Sequence, residues 1–576
     1  MSLSADAVVS SPGSFLARRA RTALGRAAAF RAAAHLAAWV PFIVAAVRLV
    51  RDGWRPVSDA AAIALRSWDV LTAHGPLVGQ ATRLAQGVYD PGPLQYWLLA
   101  VPVHLDPPHG LVWGGALWCM LAASLTIEAA WSVAAETGAV VASGTILVTV
   151  TWMPGVALQP YWNPWFGVVF LFAALAAGWA VMSGRRGWWP VLVITASVAA
   201  QAHLMFAIVS AALVVVTLAV GLTDSARDRA GYRWAVVGLL AGAACWAAPV
   251  VQQLTGRTGN LTALIYGEAT AGHPTGLAFG LKALAGAAEP PPLWWTPLQS
   301  LLNLHVIERR PAWFGAVTLA VTVVVLAAAI RPLRSRRLAA LAGVSLVASL
   351  GSLVMYAGIA EASIPATPSS LNTVNYLMIL MLPVGVLSWL TVAAALVLTG
   401  KRVLSRVRAP AASPEDRGTE GRGGEPAAAT GTAARWAVSV GTFAALVVLA
   451  LVSSLMVLHD GRQFPAVADR QVVRAVDTAS RQIEQQLSHQ PIALSVVSTD
   501  VHYRQRRLLL GLAWVLRTRG YRAEIAGYGW ELGRPYIFRG QPVAHVRVLV
   551  NGTSVSASVI RPVPARTGLV PAGTGT

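Results

Sequence analysis

The sequence predicts an α-helical polytopic membrane protein of about 11 transmembrane helices with a small C-terminal extracytoplasmic α/β domain. Three observations carry that expectation. Of 576 residues, 55% are hydrophobic and only 12% charged, about half the charge of an average soluble domain. Mean hydropathy is +0.57, and apolar runs of spanning length recur along the first four-fifths of the chain. After Leu458 the pattern changes to helix-like and strand-like stretches in alternation, the signature of a small α/β fold.

The net charge is +20, and only Lys282 and Lys401 interrupt a basic complement that is otherwise arginine. That bias, with the abundance of Ala, Gly and Val, points to a GC-rich bacterial genome. An excess of this size can signal nucleic-acid binding, but Arg scattered between apolar runs is a topology signal. Cys119 and Cys245 both fall inside apolar runs, where core packing explains them and no disulfide framework is implied.

Residues 1–31 are basic, with Arg18, Arg19, Arg21 and Arg26. The first span follows at about 32–50 and is read as retained, because no A-x-A-like cleavage site ends it cleanly. Further spans are expected near 110–133, 139–158, 164–182, 188–202, 204–222, 234–251, 313–330, 338–358, 373–399 and 436–458. The 188–222 stretch holds either two short spans or one long one. Only the split places Arg185-Arg186, Arg227 to Arg233, Arg331 to Arg337 and Lys401 to Arg435 on one side. By the positive-inside rule that side is the cytoplasm, together with the N-terminus, in a bacterial plasma membrane. The domain reading is then a transmembrane unit over 32–400 with outer loops at 51–109 and 252–312 and a disordered cytoplasmic linker at 401–435. A last span at 436–458, an extracytoplasmic α/β domain at 459–562 and a disordered tail at 563–576 complete it. Within the domain, helices are expected at 467–488 and 503–519 and strands at 492–497, 522–525 and 545–550. Most of the positive excess falls on the segments assigned to the inside. The remainder lies in the tail, where it favours anionic lipids or cell-wall polymers.

In the first outer loop Ser58 reads as the N-cap of a helix from Asp59 to about Leu71. Asp59 and Asp69 are ten residues apart, so they share roughly one face. Asp90-Pro91-Gly92-Pro93 breaks the chain before an apolar helix whose Tyr96 and Trp97 suit a membrane interface. On spacing alone, Asp59 is a helix-terminal charge and Asp69 a solvated one. On placement, a carboxylate beside the outer leaflet is suited to general-base work on a sugar hydroxyl that attacks a lipid-phosphate-activated carbon.

The acidic residue just after the first span, with two surface helices and a proline-led entry into the next span, resembles the GT-C glycosyltransferases. These include the protein mannosyltransferases and the aminoarabinose transferases of lipid A. A group of multi-pass actinobacterial membrane proteins of that superfamily is more similar still. The resemblance is carried by Asp59, Ala61, Leu65, Arg66, Asp69, Val70, His74, Pro76 to Gly79, Pro91 to Leu94 and Trp97 to Ala100. Trp162 to Trp165, Gln201 to His203, Pro249, Gln253 and Gly259 to Leu261 extend it over roughly 40–400. The chain departs from that group at Ala64, where an acidic residue is frequent, and at Asp90, where His is frequent and the aminoarabinose transferases have Lys.

The resemblance implies a membrane glycosyltransferase that moves a sugar from a polyprenyl-phosphate donor to a cell-envelope glycan, lipid or protein on the outer face, with inversion. Asp59 is then the catalytic candidate, with Asp69 beside it. Arg66, His74, Arg83, Asp90, Asn163, Gln201, His203, Gln253 and Asn260 are the substrate-binding candidates, since the span assignment gathers them at one membrane surface. Arg66, Arg83, Arg257, Arg309 and Arg310 are suited to a lipid phosphate, although Arg309-Arg310 equally suits an interface anchor. Glu361 and Asn372 flank the same surface. Ordinary alternatives stand beside these readings: Asn163 as a cap before Pro164, and His203 as a hydrogen-bonded turn residue. Asp500, His502 and Tyr503 form a polar cluster at a strand end, and Tyr521, Tyr528, Trp530 and Tyr536 are either stacking surfaces for a glycan or the tail's own core. Walker A, dinucleotide, CxxC and HExxH motifs are missing. No cofactor is expected with certainty, and a divalent cation stays open as an auxiliary. Two other classes remain: a transporter or flippase of a lipid-linked or small polar substrate, and a non-enzymatic cell-wall assembly protein. The low charge of the spans, with Glu128 the main exception, and the lack of an internal repeat argue against the transporter.

Overall fold

The computed structural model describes residues 12–82, 87–153, 159–225, 229–256, 258–270, 273–293, 305–361, 379–408, 441–442, 444–459, 466–487, 492–498, 502–525, 529–532, 536, 544–551 and 554–560. It is a multi-pass bundle of apolar helices with a C-terminal four-stranded sheet. Among the described residues eight helices are long and apolar enough to cross a membrane. One of them, Gly110–Trp152, covers two of the expected spans, because its turns are joined through a kink at Ala134–Ala135, where Ala135 has φ 47°. The shorter Trp189–Ala202 and Ala444–His459 helices account for two more. The 188–222 stretch does divide, at His203, where a 3-10 turn at Leu204–Phe206 leads into Ala207–Ser225.

The core of the bundle is the Asn163–Met182 helix, which buries residues on every face, including Trp165 and Phe166. A helix that is apolar all round has no solvent face to present, so others surround it. Its Gly167 faces Phe206, where a Cβ would come within 2.3 Å of the ring, so the two segments approach at backbone range. At the end carrying the N-terminal residues, Glu128 on the Gly110–Trp152 helix accepts from Arg31 Nε at 2.5 Å and bonds His35 Nε2 at 2.7 Å. The main in-span charge is thus internally paired, as costly intramembrane charges are.

The outer loop expected at 252–312 is only partly loop. Gly276–Ala288 is a helix that buries Phe279, Ala283, Leu284 and Ala287. At 13 residues it is too short to register as a span, yet it packs deeply. A Cβ on Gly280 would sit 2.7 Å from Leu353 O, and one on Gly315 would sit 2.0 Å from Leu281 O. Glycine at these contacts lets backbones approach where any larger residue would hold them apart. Arg310 pairs with Glu289 at 3.1 Å and donates to Pro291 O, so it fastens the end of this segment. The helix corresponding to 373–399 begins at Met381 and runs to Arg408. The rest of the 401–435 linker, residues 436–440 and the 563–576 tail lie outside the described residues.

The C-terminal sheet has strand order β2-β1-β3-β4, with β1 Ile492–Ser498, β2 Ala523–Ile525, β3 Ala544–Asn551 and β4 Ser554–Ile560. β1 is parallel to both β2 and β3, in register Ile492↔Ala523 and Ile492↔Ala544. β3 and β4 are antiparallel. The expected strand at 545–550 is therefore half of a hairpin whose second strand the sequence pattern did not single out. The amphipathic helices Ala466–Gln486 and His502–Thr518 supply the rest of this core through Val476, Ala479, Ile483, Leu508, Leu512 and Trp514. Gln482 Oε1 accepts from Ala557 N at 2.7 Å, and Tyr521 OH donates to Leu487 O at 3.1 Å.

Candidate functional site

Two polar clusters form where residues 51–109 meet the bundle and the C-terminal domain. The first is centred on residues 89–94. Gly92 lies against Gln201 and Pro249 so closely that a Cβ would come within 2.1 Å of Gln201 Oε1; only glycine fits between the prolines. Gln201 Nε2 donates to Cys245 O at 2.9 Å, and its Oε1 accepts from Leu94 N at 3.4 Å. Asp90 is 2% exposed. Its Oδ1 accepts from Leu204 N at 2.9 Å and its Oδ2 from Asn163 Nδ2 at 3.3 Å. Asn163 also donates to Ala202 O, and His203 Nδ1 accepts from Met205 N. One carboxyl group thus ties the loop to the start of one helix and to the turn between two others. Asn260 clamps Tyr89 by both amide atoms, accepting from its N–H and donating to its C=O, each at 2.9 Å. Gln253 Oε1 accepts from Leu261 N and Thr262 N, capping the helix that begins at Asn260.

Burial raises Asp90 to about 8 against the opposing donors Leu204 and Asn163, and burial lowers His203 to about 3. Asp90 is therefore a neutral acid and His203 a neutral imidazole at pH 7. The folded chain keeps the Asp90 proton up to about pH 8, whereas an unfolded chain releases it near 3.8. Stability from this group is full below the unfolded value and is lost as pH rises through about 8. Thermal unfolding in detergent should fall in midpoint from pH 5 to pH 9 in the wild type. Asp90→Asn, which mimics the neutral acid, should flatten that slope; equal slopes in both proteins would refute this account.

The second cluster lies at the two ends of the Asp59–Asp69 helix. This helix is amphipathic and buries Ile63, Leu65 and Arg66, and it packs against the His502–Thr518 helix of the C-terminal domain, where Trp68 meets Trp514 edge-on at 5.8 Å and stacks on His104 at 4.3 Å. The helix stops at Asp69, two residues before the expected Leu71, and Ser58 makes no side-chain cap bond. Ser58 instead has φ 55°, a strained value for a non-glycine residue, and its hydroxyl accepts from Arg506 Nη1 at 3.2 Å. Asp59 accepts from Arg506 Nη2 at 2.8 Å with its side chain 37% exposed. Glu531 accepts from Arg506 Nε and Nη2 at 2.6–2.9 Å. Opposing the cost of burial, the carboxylates Asp59 and Glu531 hold the guanidinium's affinity for its proton above the ordinary value.

Asp69 has no exposed side-chain surface. It accepts from Arg66 Nη1 at 3.1 Å, Tyr536 OH at 3.0 Å and Arg517 Nη2 at 3.5 Å. Burial raises its pKa, and Arg66, Tyr536 and Arg517 oppose the rise. Arg66 reaches further, acting electrostatically on the hydroxyls of Tyr89 and Tyr96. The Asp59–Asp69 helix packs against the Leu94–Leu105 helix that follows the 89–93 loop, so the two clusters are neighbours.

Of the residues expected from sequence, Asp90, Asn163, Gln201, His203, Gln253 and Asn260 converge on the first cluster, and Asp59, Arg66 and Asp69 form the second. His74 is exposed, with a weak electrostatic effect on Asp69. Arg83, Arg257, Asn372, Asp500 and Tyr528 lie outside the described residues, as do the side chains of His502, Tyr503 and Trp530. Glu361 makes a backbone bond to His273 O. Tyr521 and Tyr536 are buried in the tail. The sequence reading missed Arg506, Glu531, Arg517, Tyr89 and the role of Tyr536. Their only signal is a Glu531 and an Arg pair on amphipathic segments, and nothing in their spacing says that they face residues 58–69. Among the described residues no group of three or more His, Cys, Asp or Glu side chains gathers as a metal site.

The architecture is that of a helical, multi-pass membrane protein with an appended α/β domain that packs against the segment following the first span. The chain is similar to two crystal structures of ArnT from Cupriavidus metallidurans, one bound to undecaprenyl phosphate and one in the apo state. Each is 15% identical, with 91% of this chain and 93% of that chain covered, at TM-scores of 0.46 and 0.47. No protein-family model matches the chain, and no curated protein matches it.

Proposed function

We propose that this protein is a membrane glycosyltransferase of the GT-C type that transfers a sugar from a polyprenyl-phosphate donor to a cell-envelope acceptor on the outer face of the plasma membrane. The observation that carries this reading is Asp59: a partly exposed carboxylate directly after the first span, at the first turn of a helix that also carries Arg66, and fixed by one guanidinium. The motif resemblance around Asp59, Arg66 and the Pro91-Gly92-Pro93 loop supports it. In the proposed reaction the acceptor hydroxyl oxygen attacks the anomeric carbon while the bond from that carbon to the phosphate oxygen breaks. Polyprenyl phosphate leaves with the bonding electrons, the anomeric configuration inverts, and the hydroxyl proton passes to Asp59. Arg66 is the cation assigned to the developing phosphate charge; no step is assigned to a metal. Arabinose and mannose are the candidate sugars.

The test is to reconstitute the purified protein with radiolabelled polyprenyl-phospho-arabinose or polyprenyl-phospho-mannose and a cell-envelope extract as acceptor. Label should move from one donor into the acceptor with release of polyprenyl phosphate. Donor label that crosses the bilayer unchanged would instead support the flippase reading, and no movement of either label would sink the proposal.

A further inference from the structure

Resting on the reading of Asp59 as the base, we infer that Arg506, supplied by the C-terminal domain, is a positioning residue for the transfer and that the domain is thereby part of the active unit. Asp59 is the first residue of a short helix, and its side chain is 37% exposed. A carboxylate more than a third exposed in that position is free to sample several rotamers, which a general base held to one approach direction cannot afford. Arg506 removes that freedom. Its Nη2 holds Asp59 Oδ1 at 2.8 Å. Its Nε and Nη2 are taken up by both oxygens of Glu531, and its Nη1 holds the Ser58 hydroxyl. With its side chain 13% exposed and three partners engaged, the planar fork has no second orientation to adopt.

The backbone shows the same over-determination. Ser58 is held at φ 55° immediately before Asp59, and such strain persists only where surrounding contacts enforce it. Arg506 makes that contact. The charges also suit the role. Two carboxylates share one guanidinium, so the Asp59–Arg506–Glu531 group keeps a net negative charge. Glu531 draws part of the cation's field away from Asp59, leaving an oriented carboxylate that is not neutralised by its own clamp.

The experiment compares Arg506→Gln, Arg506→Lys, Glu531→Gln, Asp59→Asn and the Asp59→Asn/Arg506→Gln double variant in full-length protein, with the same labelled polyprenyl-phosphate sugars. Arg506→Gln should lower kcat by about 100-fold, the scale of misplacing a reacting group by about 1 Å, with donor KM changed by less than about 3-fold. Arg506→Lys should recover to within about 10-fold of the wild type, and Glu531→Gln should fall between. The double variant should be no slower than Asp59→Asn, because residues acting as one unit are not additive. Protease resistance of the C-terminal domain, measured alongside, reports docking. Wild-type kcat in Arg506→Gln, a loss that multiplies that of Asp59→Asn, or a loss that tracks undocking in every variant would each overturn the positioning role. Full activity in Asp59→Asn would instead overturn the base reading, whatever Arg506 does.

Discussion

Asp59→Asn is expected to reduce sugar transfer by about 10²–10⁴-fold, the usual contribution of a positioned general base, while expression, membrane insertion and donor binding stay at wild-type levels. The substitution is close to isosteric. The amide oxygen can still accept from Arg506, so the contact at 2.8 Å survives in weakened form and the helix start is preserved. What is lost is a group able to take the acceptor's proton. Because the side chain is only partly buried, no cavity or stranded buried charge accompanies the change. The effect should therefore appear in kcat and leave the thermal midpoint nearly in place. Rates are to be read from labelled-donor transfer by equal amounts of purified protein. Retention of more than about a tenth of the wild-type rate would remove Asp59 from the chemistry, since it lies well above the range for a general base.

Asp69→Ala is expected to act in the opposite way, on the assembly of the domains. The wild-type carboxyl group has no exposed surface and answers Arg66, Arg517 and the Tyr536 hydroxyl. Removing it strands a buried cation and leaves two further donors without their acceptor. Breaking a buried pair from one side costs about 3–5 kcal/mol. Arg517 and Tyr536 belong to the C-terminal domain and Arg66 to the Asp59–Asp69 helix, so the loss falls on their junction. The domain should become protease-sensitive and the unfolding transition should broaden or split. Transfer should fall with it, because Arg506 rides on the same helix as Arg517. Asp69→Asn, which keeps an acceptor for Tyr536, should be milder. A fully protease-resistant Asp69→Ala protein would show that the Trp68–Trp514 contact holds the junction without the polar cluster. A loss of transfer in that resistant protein would return Asp69 to the chemistry.

These outcomes separate the two acids that sequence spacing made equivalent. On a helical wheel Asp59 and Asp69 share a face, and both then read as candidates for the same work. Spacing cannot tell which of the two stays partly exposed and which is fully buried where both meet a domain some 450 residues further along. Likewise, Asp90, Asn163, Gln201, His203 and Asn260 were each legible as polar residues near one surface. Their meeting around a single loop depends on Gly92 fitting between Gln201 and Pro249, a property of close packing and not of any local pattern.

The membrane character, the order of the apolar helices, the break at His203 and the α/β nature of the tail were determined by the sequence alone. Composition, periodicity and run length are local quantities, and hydrocarbon thickness and backbone hydrogen bonding convert them directly into helices. Tertiary structure alone decided that Gly276–Ala288 is a buried helix inside the bundle, that β4 completes the sheet, and that Arg506, Glu531, Arg517 and Tyr536 reach the Asp59–Asp69 helix. A long-range ion pair leaves no periodic trace. Its partners are charged residues on ordinary amphipathic surfaces until packing desolvates them, and only then does Coulomb attraction become strong enough to fix one side chain against another.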